Sequence, residues 1–151
     1  MILSFSVFRE KLESGEKLQT IRKYSPAQYK RYLNCWKKRA TTGRYNLFWH
    51  NPRNGGTRIR DAVPSEKPFL IQFCQHDSYV GKKNQFRRVI NSIIDAETGE
   101  DIDMFTLAKM DGFENDFDMW DWFFQEYGPV AMFEGYFIVV RWDPKTAPQR
   151  L

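Results

Sequence analysis

Hydrophobic and polar positions change period several times along the chain, and the changes mark out short elements. Ile2 to Phe5 is a short apolar run that predicts a strand, and Val7 to Ser14 predicts a short helix with Phe8 and Leu12 at i, i+4. Gly15 is placed to end that helix as a C-cap glycine. Leu18 to Lys23 then alternates, which predicts a strand with Leu18, Thr20 and Arg22 on one face and Gln19, Ile21 and Lys23 on the other. Ser25-Pro26 starts a second helix, serine as N-cap and proline in the first turn, running to about Ala40 and stopping before Gly43. Its stripe is Tyr29, Tyr32, Leu33, Trp36 and Ala40, with Lys30, Arg31, Lys37 and Lys38 off it.

Beyond Gly43 the pattern is that of strands. Arg44 to His50 predicts one, the Asn54-Gly55-Gly56 turn introduces another from Thr57, and Phe69 to Cys74 and Phe86 to Asp95 predict two more. Asn115 is an N-cap for an acidic, aromatic helix reaching Tyr127, which Gly128-Pro129 ends. Gly135 to Trp142 is almost continuously apolar, the pattern of a central strand. About six strands and two or three helices in this order predict an α+β fold, a mostly antiparallel barrel with appended helices rather than alternating βαβ units. A chain of 151 residues suits a single domain over 1–151 and buries enough surface to need no staple.

Charge changes this picture, because it is unevenly spread. Between Lys23 and Arg60 there are ten basic residues and no acidic one, whereas Asp95 to Glu126 holds eleven acidic residues and only Lys109 as a cation. The basic segment, interleaved with aromatics, is the footprint of a polyanion partner. The alternatives are two segments that face each other, or two solvated ones. Cys35 and Cys74 lie in no CxxC pattern, and His50 and His76 are too few and scattered to complete a zinc set. No metal and no cofactor is expected, and the thiols read as free ones in a reducing compartment, with a disulfide left open. The N-terminus has no basic leader, and no stretch has the ~20 apolar residues of a membrane span, so a cytoplasmic location without membrane contact is expected.

The candidate chemistry lies in Gly15-Glu16-Lys17-Leu18-Gln19-Thr20-Ile21-Arg22, a G-x-K-x-x-T-x-R string. It delivers an amine, a hydroxyl and a guanidinium from one turn and one strand face. A desolvated lysine beside an arginine is a potential base, a threonine hydroxyl a potential nucleophile, and an arginine a phosphate or oxyanion partner. On residue types alone the string is more often a solvated helix-to-strand turn than a site.

The string resembles the signature of the activating-signal-cointegrator homology (ASCH) family. A second block, Ala108-Lys109-Met110-Asp111-Gly112-Phe113-Glu114-Asn115, with a closing strand ending Val140-Arg141-Trp142, resembles that family's acidic-Gly-Phe block and last strand. The resemblance implies a PUA-like β-barrel with a cleft, and RNA or a modified nucleoside as partner. Some members resemble amidohydrolases that deacetylate 4-acetylcytidine, using the signature lysine as base, the threonine as nucleophile and a carboxylate from the second block. By position these are Lys17, Thr20 and Asp111, with Arg22 as binding or oxyanion partner.

Three departures qualify the resemblance. The family's carboxylate is more often Glu, and a shortfall of ~1 Å in a catalytic group can cost ~100-fold. A basic helix over 25–42 is an insertion relative to compact members. Gly43-Arg44 stands where Gly-Asp is usual. The added positive charge favours a polynucleotide. Lys23, Arg44 and Arg58 are accordingly expected to hold phosphates, and Tyr24, Tyr45 and Trp49 either to stack on bases or to pack in the core. Three readings therefore stand: an RNA-binding domain with a cleft for one base, an amidohydrolase or less directly a ribonuclease, and a protein-interaction module using the acidic segment.

Overall fold

The last strand organises the molecule. In the computed structural model, which describes residues 1–146, β7 (Phe137–Thr146) is hydrogen-bonded along both edges. One edge takes β2 (Gln19–Lys23), antiparallel, from Gln19↔Arg141 to Lys23↔Phe137. The other takes β5 (Phe69–Val80), from Phe69↔Val139 to Ile71↔Phe137, and then β4 (Thr57–Pro64), at Pro64↔Trp142 and Ala62↔Thr146. The Arg141 carbonyl accepts from Ser65 N–H at 3.1 Å while Trp142 N–H donates to Leu18 O at 3.0 Å. Neighbouring residues thus address opposite edges, as strand geometry requires. β3 (Tyr45–Trp49) lies outside β4, β1 (Ile2–Phe5) pairs with β3 in parallel, and β6 (Phe86–Asp95) pairs with β5. The result is an α+β fold on a seven-stranded, mostly antiparallel sheet.

The sheet curls like a barrel but is not closed. Among the described residues β1 and β2 share no backbone pairing; the Arg22 side chain crosses between them, its Nη2 donating to the Ser4 carbonyl at 2.8 Å. Because period-two alternation sends successive side chains to opposite faces, β7 seeds two separate cores. Phe137 and Val139 join Ile21, Ile71, Phe73 and Ile93 under α3 (Met104–Asp111) and α4 (Asp116–Glu134). Ile138, Val140 and Trp142 join Leu3, Phe5, Leu47 and Ala62 under α1 (Arg9–Ser14) and α2 (Pro26–Lys37).

The expected elements are present, with differences that have local causes. α2 buries Tyr32 and Cys35, i, i+3, rather than the whole Tyr29-to-Ala40 stripe, and it ends at Lys37 in turns that lead to Gly43. α4 breaks where expected: Gly128 takes φ 76, and Pro129, whose missing N–H costs nothing in a first turn, restarts a short segment to Glu134. Asn115 caps α4 by accepting from Asp118 N–H at 2.8 Å. α3 was not expected from the pattern. β5 runs six residues past Cys74, because it pairs with β6 up to Val80↔Phe86 although the added residues bury nothing. No helix among the described residues is long and apolar enough to cross a membrane.

Candidate functional site

The geometry begins at the C-terminus of α3. Asp103 caps the helix start, accepting from Phe105 and Thr106 N–H, and Gly112 ends it in a left-handed conformation, φ 104. A side chain at 112 would be strained by that φ, and its Cβ would stand 3.0 Å from the Phe8 ring. The final carbonyls of α3 carry the negative end of the helix dipole and need donors. They receive them from the N-terminal signature: Leu18 N–H donates to Met110 O at 2.8 Å, Lys17 Nζ to Asp111 O at 2.5 Å, and Lys11 Nζ to Gly112 O at 2.6 Å.

Lys17 is enclosed. It is 2% exposed, Asp111 6% and Thr20 5%, and the Lys17 ammonium lies 3.4 Å from Asp111 Oδ2 and 5.5 Å from the centres of both the Phe5 and Phe8 rings. Phe8 holds this position with φ 61, a costly conformation for an aromatic residue, and packs edge-on to Phe113. Burial pushes the Lys17 amine below the ordinary lysine value, opposed by the Asp111 charge, and pushes the Asp111 carboxyl above the ordinary carboxylate value, opposed by Lys17. Asp111 Oδ1 has no hydrogen-bond partner among the described residues. On the adjoining face of β2, Arg22 Nε donates to Thr20 Oγ1 at 2.9 Å, and the guanidinium lies 5.1 Å from the Phe5 ring centre.

Arg22 also reaches open space. A groove of about 620 Å³ is bounded by Met1 and by Ile2 to Ser4 of β1, by Arg22, and by Gln28, Arg31 and Tyr32 of α2. None of its lining residues is acidic. Met1 O and Phe5 O accept from Asn46 and His50 N–H on the β3 side. By alternation, Ile2 and Ser4 turn their backbone groups away from β3. The structure therefore places two guanidinium groups along one groove, beside a strand edge that no other strand pairs among the described residues and whose Ser4 carbonyl Arg22 takes.

Lys17, Thr20, Arg22 and Asp111 come together across 94 residues of chain separation between Lys17 and Asp111. The other predicted binding residues are scattered. Lys23 lies on the opposite face of β2, its ammonium 4.9 Å from the Phe137 ring centre and bonded to Ala131 O at 2.7 Å. Tyr24 packs against Tyr29 and Tyr136, and Tyr45 is fully buried in the core, out of reach of a base. Arg44 donates to the carbonyls of Arg39 and Gly43 at 2.8 Å, bracing its own loop. Trp49 is half-buried beside His50, with the Arg9 guanidinium 5.6 Å from its ring centre. Arg58 pairs with Asp61.

The basic and acidic segments do not meet as a pair of helices. α2 covers one core and α3 and α4 the other, on opposite faces of β7, and no ion pair among the described residues joins Lys23–Arg60 to Asp95–Glu126. One polar residue went unnoticed in the sequence. Gln19 is fully buried, donating to Leu107 O at 2.8 Å and accepting from Arg141 Nε at 2.9 Å; Arg141 in turn bonds Glu66. Its signal was an amide at the inward position of an alternating strand, next to Ile21. Family models, curated proteins and solved structures return no match to this chain.

Proposed function

We propose that the protein is an ASCH-like, PUA-like RNA-binding domain that takes one base, modified or not, in the groove between β1 and α2. The observation that carries the reading is the groove itself: Arg22 and Arg31 line it with no carboxylate opposing them, beside the outer edge of β1, which no strand pairs among the described residues and where Arg22 already takes the Ser4 carbonyl. An arginine fork suits a phosphate, and backbone N–H and C=O groups suit the hydrogen-bonding edges of an unstacked base. The resemblance of the Lys17-to-Arg22 string to the family signature supports the same partner class. Titration of a labelled single-stranded RNA should show affinity that falls with salt, each neutralised phosphate adding ~0.7 to the log–log slope. Arg22→Gln should weaken binding at least tenfold. No binding at low salt, or binding indifferent to salt, sinks the proposal.

A second reading, an amidohydrolase acting on 4-acetylcytidine, is favoured by one observation: a buried amine and carboxyl with displaced pKa values lie beside a threonine bonded to an arginine. In that chemistry the acetyl C–N bond breaks, the acetyl group passes to Thr20 Oγ1, cytidine leaves with a proton returned by Lys17, and water then releases acetate. A neutral amine is required, so the rate should rise with pH through a Lys17 pKa that burial holds below the ordinary lysine value. Cytidine release by the parent but by neither folded Lys17→Ala nor folded Thr20→Ala protein establishes it; an inert parent at high concentration removes it.

A further inference from the structure

The β5–β6 hairpin leaves the body of the protein at Gln75. Up to Phe73↔Ile93 it lies over the core, but from Gln75 to Val89 every residue except Ser78 is exposed. About six residues per strand at ~3.4 Å each make an arm ~20 Å long. A two-stranded ribbon in water is marginal by itself, and this one covers nothing, so its stability does not explain its side chains. They are those of a binding surface: Phe86 is 63% exposed, and Lys82, Lys83, Arg87 and Arg88 stand against Asp77 as the sole acidic residue of the arm.

The two faces of the ribbon differ. Tyr79↔Arg87 and Asp77↔Val89 are opposite pairs on one face, where Arg87 Nε is bonded to Asp77 Oδ1 at 2.9 Å. Val80↔Phe86 and Ser78↔Arg88 are opposite pairs on the other, which carries no acid. At the end, Gly81 takes φ 92, and a Cβ there would stand 2.9 Å from the Phe86 ring. The turn is thus shaped to seat one side of that ring and leave the other to solvent. Lys82, Lys83 and Arg88 make no ion pair among the described residues.

We infer that the β5–β6 ribbon is a second, separate binding arm for single-stranded nucleic acid, with Phe86 stacking on a base and Lys82, Lys83 and Arg88 holding the flanking phosphates. A planar ring with one open face next to three unpaired cations is complementary to an unstacked base between phosphates. A duplex conceals its base faces and offers the ring nothing to stack on. The arm shares no residue with the groove at Arg22, so the two surfaces stand or fall separately.

The test compares five proteins by fluorescence anisotropy with a labelled single-stranded oligonucleotide, over a range of salt: parent, Phe86→Ala, Lys82→Ala/Lys83→Ala/Arg88→Ala, Tyr79→Ala and Arg22→Gln. The exposed positions make folded variants the expectation, checked by thermal melting. Phe86→Ala should weaken binding ~10-fold. The triple variant should lower the log–log salt slope by about 2, from three phosphates at ~0.7 each. Tyr79→Ala, on the opposite face, should lose much less than Phe86→Ala. If Phe86→Ala and the triple variant bind like the parent while Arg22→Gln does not, the arm is overturned and the groove reading survives. If the ribbon variants lose affinity and Arg22→Gln does not, the arm stands and the groove falls. Equal binding of a duplex of the same sequence, or ribbon-dependent binding of phosphatidylserine vesicles without oligonucleotide binding, overturns the inference.

Discussion

The cations of the Lys17 site and those of the ribbon are the same chemical groups in opposite circumstances. Lys17 and Lys11 are spent on the carbonyl end of α3, and Lys17 is further walled by Phe5 and Phe8. Lys82, Lys83 and Arg88 make no ion pair among the described residues and lie on the outer part of the β5–β6 pair, beyond the residues that cover the core. Net charge treats the two sets alike. The difference is in what a partner would find: at Lys17 a charge already satisfied by the fold, at the ribbon one still to be satisfied. Arg22 stands between these extremes, bonded to Thr20 and Ser4 yet lining the groove.

The largest effect that tests this contrast is on stability. Asp111→Ala strands a buried ammonium and should cost about 3–5 kcal/mol. Removing both charges, as Lys17→Met/Asp111→Leu, should recover most of that loss, because burying the pair itself carries a desolvation penalty. Urea unfolding of the parent and both variants measures it. A double variant no more stable than the single one would show that Lys17 is held by the α3 carbonyls rather than by Asp111.

Gly112→Ala comes next, with an expected loss of about 1–3 kcal/mol. It imposes a side chain at φ 104 and pushes against Phe8, which itself sits at φ 61. Thermal unfolding of the folded variant reads this; an unchanged melting temperature would mean that the Phe8 wall gives way freely and that Lys17 is less enclosed than its 2% exposure indicates.

These residues also show what was legible in the chain. The alternation from Leu18 to Lys23 fixes the faces of β2, and the apolar run before Trp142 marks β7 as central; both are local patterns set by the strand period. Gly15 and Asn115 mark helix ends because capping is local as well. α3 was missed since it is eight residues long, too short for a periodic stripe, although Asp103 and Gly112 bracket it. The ribbon was missed since Gln75 to Val80 has no apolar alternation; only pairing with β6 makes it a strand. The meeting of Lys17 with Asp111 follows from no local pattern, because 94 residues of chain separate them. The scattering of Lys23, Arg44 and Arg58 was not legible, because charge counting along a segment ignores which face each residue takes.

The smallest expected effect is at the ribbon. Lys82→Ala/Lys83→Ala/Arg88→Ala should leave unfolding free energy within about 0.5 kcal/mol of the parent. None of the three makes an ion pair among the described residues, and Lys82 and Lys83 lie in the exposed turn beyond the last strand pair. Self-repulsion among three neighbouring cations even gives a small gain a physical basis at low salt, one that screening should erase above about 0.15 M. A loss above 1 kcal/mol would mean that these cations brace the ribbon in the way Arg44 braces its loop, and the division between satisfied and unsatisfied charge would no longer separate the two regions.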